Sequence, residues 1–142
     1  MYNSCLRKQE KIKELFALCK TQEDVYKKII ELGQQLGSLS SDLKTEDRRV
    51  HGCQSLMYLN TKNENNLLIF EADSDALISK GLAFLLVSVY SGETADAILK
   101  CPPTFLETLK ITSSLTPNRA NGLYSMHLKM QQEALKFLVS KK

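Results

Sequence analysis

Residues 56–72 read LMYLNTKNENNLLIFEA, the most strand-like stretch of this 142-residue chain. A mostly apolar run enters a polar, asparagine-rich segment at 63–66, and a second apolar run leaves it. Two such runs around a polar turn are typical of a β-hairpin. A further short strand is predicted to run from Val50 into Cys53, so we expect a small antiparallel sheet of about three strands.

Helical segments flank this hairpin on both sides. Apolar residues spaced by three and four, with helix-capping and helix-opening residues, predict helices at about 4–20, 22–36, 76–90, 95–99, 102–109 and 117–140. Asp73, Ser74 and Asp75 are the expected cap of the third helix. Helices gathered on one face of a small sheet make an α+β fold, in one domain that spans residues 1–142.

The third predicted helix is apolar around most of its girth, so we expect it in the middle of the core, against the sheet. In the helices around it, the 3/4 spacing predicts which side chains point inward. Cys19 falls on the apolar stripe of the first helix, and Leu135 falls on that of the last helix. Leu77 is a predicted inward residue of the third.

The composition excludes several classes of protein. Apolar residues make up 43% of the chain and charged residues 25%, with a formal net charge of +3, so no basic stripe for nucleic acid is present. The longest apolar run, 82–87, is far shorter than the ~18–20 residues of a membrane span. The polar N-terminal segment has no apolar signal core, and we therefore expect a cytoplasmic protein.

Four cysteines, Cys5, Cys19, Cys53 and Cys101, are widely spaced, and no paired-cysteine motif is present. We interpret them as free thiols in a reducing compartment. A metal site is not expected, because His51 and Cys53 supply two ligands where a structural zinc site needs four.

Cys53 has an unusual local sequence. Gly52 precedes it and Gln54 follows it, with two arginines and His51 just upstream. A thiol reacts as its thiolate, which nearby positive charge and backbone donors favour, and a glycine permits the bend that lifts a side chain to a loop tip. The alternative is a small, half-buried apolar residue. His51 is either a group that lowers the thiol pKa or a surface histidine.

Three motifs, in order, resemble those of the SufE family of sulfur-acceptor proteins. They are Val50-x-Gly52-Cys53-Gln54-Ser55, Asp73-Ser74-Asp75-Ala76-x-Ile78-x-x-Gly81-Leu82 and Leu115-Thr116-Pro117-x-Arg119-x-Asn121-Gly122-Leu123-x-x-Met126. The resemblance covers nearly the whole chain. It implies an α+β fold of the kind that SufE shares with the iron–sulfur scaffold IscU.

The resemblance also implies a function. A PLP-dependent cysteine desulfurase of the SufS or CsdA type would pass persulfide sulfur to Cys53, and the sulfur would go on to a SufBCD-type complex for cluster assembly. The protein would be an accessory carrier, a monomer or homodimer, with no cofactor of its own. His51, Gly52 and Gln54 would shape or support the loop.

The same resemblance makes Asp73, Asp75 and Arg119 candidates for partner binding, with Arg119 alternatively anchoring the loop. The chain departs from the family pattern at Tyr58, where a tryptophan is usual. Other interpretations stay open: a non-covalent activator of a desulfurase, an IscU-like scaffold, and more remotely a cysteine hydrolase. The sequence assigns no role to Cys5, Cys19 or Cys101.

Overall fold

The computed structural model describes residues 2–52 and 55–140. The predicted roles of Cys53 and Gln54 therefore lie outside the described residues. The described part contains helices α1 (Asn3–Leu15), α2 (Gln22–Gly33), α3 (Leu77–Tyr90), α4 (Ala95–Lys100), α5 (Phe105–Thr108) and α6 (Pro117–Ser140), and strands β1 (Met57–Glu64) and β2 (Leu67–Ser74). Short 3₁₀ turns occur at Ser41–Leu43, Glu46–Arg48 and Thr112–Ser114.

The predicted hairpin is present. Strands β1 and β2 pair antiparallel, with Met57 opposite Ser74 and Glu64 opposite Leu67. Asn65 and Asn66 join them with φ of 54° and 66°, the left-handed pair that a tight hairpin turn requires and that asparagine tolerates well. The α+β fold class predicted from the sequence is thus confirmed.

The number of strands is lower than expected. Within the described residues the sheet has two strands, and the predicted strand at Val50 is reduced to an isolated bridge between Arg49 and Tyr58. The Val50 N–H also donates to the Met57 carbonyl over 2.8 Å. A 3₁₀ turn ends at Arg48 and Gly52 has φ of +95°, so the extended backbone between them is too short for a strand.

Helix α3 forms the centre of the core, as predicted from the apolar residues on most of its sides. Its residues Leu82, Leu85, Leu86 and Val89 are each no more than 2% exposed. The helix packs on β2 and is surrounded by α1, α2 and α6. Gly33 and Gly81 meet where α2 crosses α3, and a β-carbon on Gly33 would lie 2.6 Å from the Gly81 nitrogen.

Several predicted inward residues are more exposed than expected, including Leu6 and Leu15, which share the predicted apolar stripe of Cys19 and are 41% and 43% exposed. Helix α1 ends at Leu15 rather than near residue 20, so Cys19 lies in the connector and is half-buried. Leu77 is exposed because α3 begins there, after an N-cap at Ala76. Leu135 is exposed because it lies off the inward stripe of α6, which runs through Met126, Met130 and Ala134 and continues with the partly buried Phe137 and Leu138.

The expected acidic cap of α3 is also wrong. The N-cap is Ala76, which makes no capping hydrogen bond through its side chain. The Asp75 carboxylate instead accepts the Leu56 N–H, which lies across the start of the hairpin. Among the described residues, no helix is both long enough and apolar enough to span a membrane.

Candidate functional site

The segment before Cys53 is fixed against α6. Gly52 has φ of +95°, a conformation that disfavours every residue with a β-carbon. A β-carbon built on Gly52 would overlap the hydroxyl group of Ser125, on the middle turns of α6. The hydrogen bond from Val50 to Met57 holds the other end of this turn on the sheet. Glycine is therefore required at position 52 both for its φ and for its lack of a side chain.

The segment after Cys53 is fixed against α3. Ser55 is 9% exposed, and its Oγ lies 2.8 Å from the Oγ of Ser79. The next residue, Leu56, donates its N–H to Oδ1 of Asp75 over 3.0 Å and accepts the Asp75 N–H at 3.2 Å. These contacts hold the entry to β1 on the first turn of α3.

Arg119 joins α6 to the same place. Its Nη1 donates to Ser79 Oγ over 2.9 Å, and its backbone N–H donates to Thr116 Oγ1 over 3.3 Å. Arg119 and Ser79 also line a small cavity of about 10 Å³, together with residues that include Met57 and Gly122. Arg119 is thus close to the residues that flank Cys53, although it lies more than sixty positions later in the chain.

The two aspartates predicted as partner-binding residues differ in their surroundings. Asp73 is 5% exposed, and its carboxylate accepts the Leu39 N–H at 3.2 Å and pairs with Lys44 at 3.3 Å. Lys80 lies 3.7 Å from the same carboxylate. Burial acts to raise the pKa of Asp73, but the hydrogen bonds from Leu39 and Lys44 outweigh it, and the pKa is lowered. Asp75, by contrast, is exposed.

His51 is exposed, and its Nε2 lies 3.1 Å from Oε1 of Glu46. Both side chains are more than 60% exposed, so solvent screens this pair strongly. Of the two upstream arginines, Arg48 donates through Nε to Asn60 on β1 over 2.9 Å. Its charge is therefore directed to the hairpin.

Of the remaining cysteines, Cys5 and Cys19 have surroundings that disfavour a thiolate. Cys5 and Cys101 are buried, and burial together with the nearby Cys101 thiol raises the pKa of Cys5. Gln9 donates to the Cys101 sulfur over 3.3 Å. Burial and the adjacent Asp24 also raise the pKa of Cys19. Because the thiolate is the nucleophile, a raised pKa makes a cysteine a poor sulfur acceptor at neutral pH.

Within 2–52 and 55–140, no group of three or more histidine, cysteine or acidic side chains is placed to hold a metal ion. The absence of a metal or cofactor in the functional protein stays a prediction.

Comparison with known proteins decides the family. The SufE profile, described as an Fe-S metabolism associated domain, matches residues 10–134. The chain belongs to the SufE family. It is 36% identical over 129 residues to "SufE-like protein 1, chloroplastic/mitochondrial" of Arabidopsis thaliana. It is 33% identical over 127 residues to the uncharacterized SufE-like protein slr1419 of Synechocystis.

Coverage differs between these SufE-like relatives. The Arabidopsis match takes in 90% of this chain but only 35% of the relative, so the chain spans about a third of that protein. The Synechocystis match covers 89% of this chain and 80% of the relative. A solution structure of a hypothetical protein from Thermus thermophilus superimposes with a TM-score of 0.75 at 25% identity, covering 93% of this chain and 96% of the other.

Sequence reasoning missed Ser79 and Ser125. Ser125 carries no signal that distinguishes it from other polar helix residues. Ser79 does carry one, because it is a polar residue on the otherwise apolar, buried face of α3 and is 4% exposed. A buried hydroxyl group needs a hydrogen-bond partner, so its position indicates a specific contact. The partners themselves, Ser55 and Arg119, follow only from the tertiary structure.

Proposed function

We propose that this protein accepts persulfide sulfur on Cys53 from a PLP-dependent cysteine desulfurase of the SufS or CsdA type. The observation that carries the proposal is the SufE family match over 10–134, which includes Cys53 and the motif around it. In this proposal PLP belongs to the partner, and the chain needs no cofactor of its own. The sulfur then goes to a SufBCD-type complex for iron–sulfur cluster assembly, in the cytoplasm.

The transfer is a thiol exchange without net oxidation. The Cys53 thiolate attacks the terminal sulfur of the desulfurase persulfide, and a new S–S bond forms while the old one breaks. The desulfurase cysteine leaves as a thiolate, and Cys53 carries the extra sulfur. The bond that forms and the bond that breaks are both S–S bonds. The step is therefore redox-neutral and needs neither an oxidant nor a reductant.

The other cysteines support Cys53 as the acceptor. Cys5 and Cys101 are buried, so a partner enzyme has no access to their sulfur atoms. Cys19 is half-buried and has a raised pKa. A fast exchange requires both an accessible sulfur and a substantial thiolate fraction.

The surface beside the Cys53 segment supports docking of a protein partner. Leu56 is 43% exposed and Leu77 is 65% exposed, and the Leu56–Asp75 hydrogen bonds hold their segments together. Exposed apolar side chains next to charged ones, here Asp75 and Arg119, are common at protein interfaces. We propose that this patch contacts the desulfurase.

Intact-mass spectrometry tests the proposal. The protein is mixed with a desulfurase, PLP and cysteine, and the expected result is a mass gain of one sulfur atom that reductant removes. Cys53→Ser should abolish the gain. Cys19→Ser, the matched control at a half-buried cysteine, should keep it.

Two outcomes would replace the proposal. If the wild type gains no sulfur while Cys53→Ser still stimulates the desulfurase fully, the protein is a non-covalent activator. If anaerobic reconstitution gives a stoichiometric bound iron–sulfur cluster that Cys53→Ser loses, the protein is an IscU-like scaffold. The cluster would then be assembled on this protein itself and not on a SufBCD-type complex.

A further inference from the structure

The edge of strand β2 that faces away from β1 is closed by hydrogen bonds at two positions. Alternate residues of β2 direct their backbone N–H and C=O groups to this edge, because the ladder bonds to β1 use the residues between them. The Leu68 N–H donates to the Glu93 carbonyl over 2.9 Å, and the Leu68 carbonyl accepts the Gly92 N–H at 2.7 Å. Two positions further on, the Phe70 N–H donates to Ser91 Oγ over 2.9 Å. The chain that follows α3 therefore covers the edge as far as Phe70.

Ala72 is the next outward position, and its backbone N–H and C=O have no hydrogen-bond partner among the described residues. It lies opposite Leu59, at a place in the register where an antiparallel ladder makes no hydrogen bonds. No hydrogen bond from a turn, loop or side chain of the described ranges reaches these two groups either. Ala72 is nevertheless only 2% exposed. A buried donor and acceptor are costly unless both are paired, so this position favours a ligand that brings one acceptor and one donor.

A cavity of about 290 Å³ lies beside Ala72. It is lined by β2, by Phe84 and Val87 in the second half of α3, and by the connector after α2, including Leu36 and Gly37. Gly37 is exposed, and a β-carbon built on it would meet no atom within 4 Å, so the connector covers this side loosely. The volume is close to the lower end of ordinary ligand sites.

The lining of this cavity is neutral. Among the described residues that line it there is no lysine, arginine or histidine. Its one carboxylate, on Glu71, accepts from Asn60 at 2.9 Å and from Lys62 at 3.3 Å. The remaining polar side chains are uncharged, among them Ser88 of α3. An uncharged ligand with amide groups and an apolar side chain matches this lining better than an ion does, because a buried charge needs a partner.

We infer that the open edge at Ala72 binds an extended, uncharged peptide segment of a partner protein, which places an aliphatic side chain against α3. A residue that exchanges both backbone hydrogen bonds with Ala72 in an antiparallel pair has its side chain on the same face of the sheet. For Ala72 that is the core face, where α3 packs on β2. The bound side chain then contacts Phe84 and Val87. Addition of a strand to a sheet edge is a recurring mode of peptide recognition.

This site is separate from the contacts that flank Cys53. Ser79 contacts Ser55 from the first turn of α3. Val87 lies eight positions later on the same helix, which is about 12 Å along the helix axis. Peptide binding at Ala72 is therefore independent of sulfur transfer, and its presence or loss leaves the proposed function untouched.

The test is a titration of isotope-labelled protein followed by amide NMR spectra. The probe is N-acetyl-leucine-N′-methylamide, which carries one backbone donor and acceptor pair around a single aliphatic side chain. We expect saturable binding with a Kd of about 1–10 mM, the range for a ligand this small. The Ala72 amide signal should shift during the titration, because its N–H gains an acceptor.

Two altered probes separate the hydrogen bonds from the apolar contact. Methylation of the leucine nitrogen removes the donor to the Ala72 carbonyl, and we expect binding to weaken by about three- to tenfold. The alanine analogue keeps both backbone groups but loses most of the apolar side chain. It should bind about tenfold more weakly than the leucine probe.

Phe84→Ala tests the cavity from the side of the protein. It removes apolar contact surface and should weaken the leucine probe by about threefold or more. Leu128→Ala, at an exposed leucine of α6, is the matched control and should bind the probe as the wild type does. If Phe84→Ala fails to fold, the two altered probes on the wild type still give the answer.

Three results would overturn the inference. The first is a wild type whose Ala72 amide shows no saturable shift. The second is equal binding of the leucine probe and its N-methylated form, since the backbone of Ala72 would then take no part. The third is a shift of the Ala72 amide that grows with protein concentration in the absence of peptide, because a second copy of this chain would then occupy the edge instead of a separate partner.

Discussion

Gly52 lies in direct contact with Ser125 of α6, and a β-carbon on Gly52 would overlap the Ser125 hydroxyl group. Gly52 also has φ of +95°, so two independent constraints act on one residue that directly precedes Cys53. The contact ties the turn before the cysteine to the longest helix of the chain. Helix α6 also carries Arg119, which reaches the other side of the same segment through Ser79.

Gly52→Ala should lower the free energy of unfolding by about 1–3 kcal/mol, from backbone strain together with the overlap with Ser125. Urea unfolding monitored by circular dichroism measures it. Gly92→Ala is the matched control, because Gly92 has φ of +82° but a β-carbon built on it would come no closer than 3.7 Å to its nearest neighbour, Lys8 Nζ. Gly92→Ala should therefore lose less, and Ser125→Gly should recover part of the Gly52→Ala loss. Equal losses at Gly52 and Gly92 would mean that the Ser125 contact has no energetic importance.

Asp73→Asn should lower the free energy of unfolding at pH 7 by about 1–3 kcal/mol, because the buried carboxylate pairs with Lys44 and accepts the Leu39 N–H. The pKa of Asp73 is lowered in the folded protein, so its contribution is present above the ordinary aspartate pKa of about 4. It is lost as the pH falls through the folded-state value.

The wild type and Asp73→Asn should therefore differ in stability at pH 7, and the difference should shrink as the pH falls through the lowered folded-state pKa of Asp73. Urea titrations at pH 7, 5 and 3 measure this difference. Asp96→Asn, at an exposed position on α4, should leave the curve nearly unchanged. A stability difference between wild type and Asp73→Asn that stays constant over this range would contradict the assignment of the lowered pKa to Asp73.

His127 should make the protein less stable as the pH falls from about 7 to 5. Its Nε2 is buried without a hydrogen-bond partner among the described residues, and its ring centroid lies 5.2 Å from that of Tyr90. Burial lowers the pKa of His127 below its usual 6.5. The unfolded chain therefore takes up the proton first, and stability declines between the ordinary pKa and the lower folded-state one.

His127→Phe should retain the ring contact and flatten this part of the stability curve. His51→Gln is the control, because His51 is exposed and pairs with an exposed glutamate. Thermal unfolding at half-unit steps of pH gives the comparison. If His127→Phe has the same slope as the wild type between pH 7 and 5, another group is responsible for the acid sensitivity.

The sequence predicts the elements of this fold better than their contacts. The hairpin is predictable from two mostly apolar runs with asparagines at the turn between them. The central position of α3 is predictable because the helix is apolar on most sides. The prediction of a third strand is wrong because the positive φ of Gly52 ends the extended backbone. The contact of Gly52 with α6, rather than with residues near it in the sequence, imposes this constraint. The prediction for Leu135 is wrong because this apolar residue lies beside the inward stripe of α6, and the core continues beyond it at Phe137 and Leu138.

In the candidate site, too, the local motif is predictable from the sequence but the tertiary contacts are not. The motif around Cys53 is visible in the sequence, whereas the contact between Ser79 and Arg119 joins positions 40 residues apart. No spacing rule connects a serine on a buried helix with an arginine in the first turn of another. Asp73 shows that a motif does not reveal burial, since this aspartate is buried and pairs with Lys44 within the chain, and its role in partner binding stays a prediction.

The small number of residues between the two anchored ends of the Cys53 segment has a kinetic consequence. Val50 is held on Met57 and Ser55 on Ser79, so only residues 51–54 separate the fixed points. A segment of five Cα–Cα steps that is held at both ends extends at most about 9 Å from its fixed points. Unlike a long swinging arm, it cannot bridge two bound proteins at once. Under the proposed function, sulfur donor and sulfur recipient must then occupy one shared face by turns, and an excess of donor should slow delivery by simple competition.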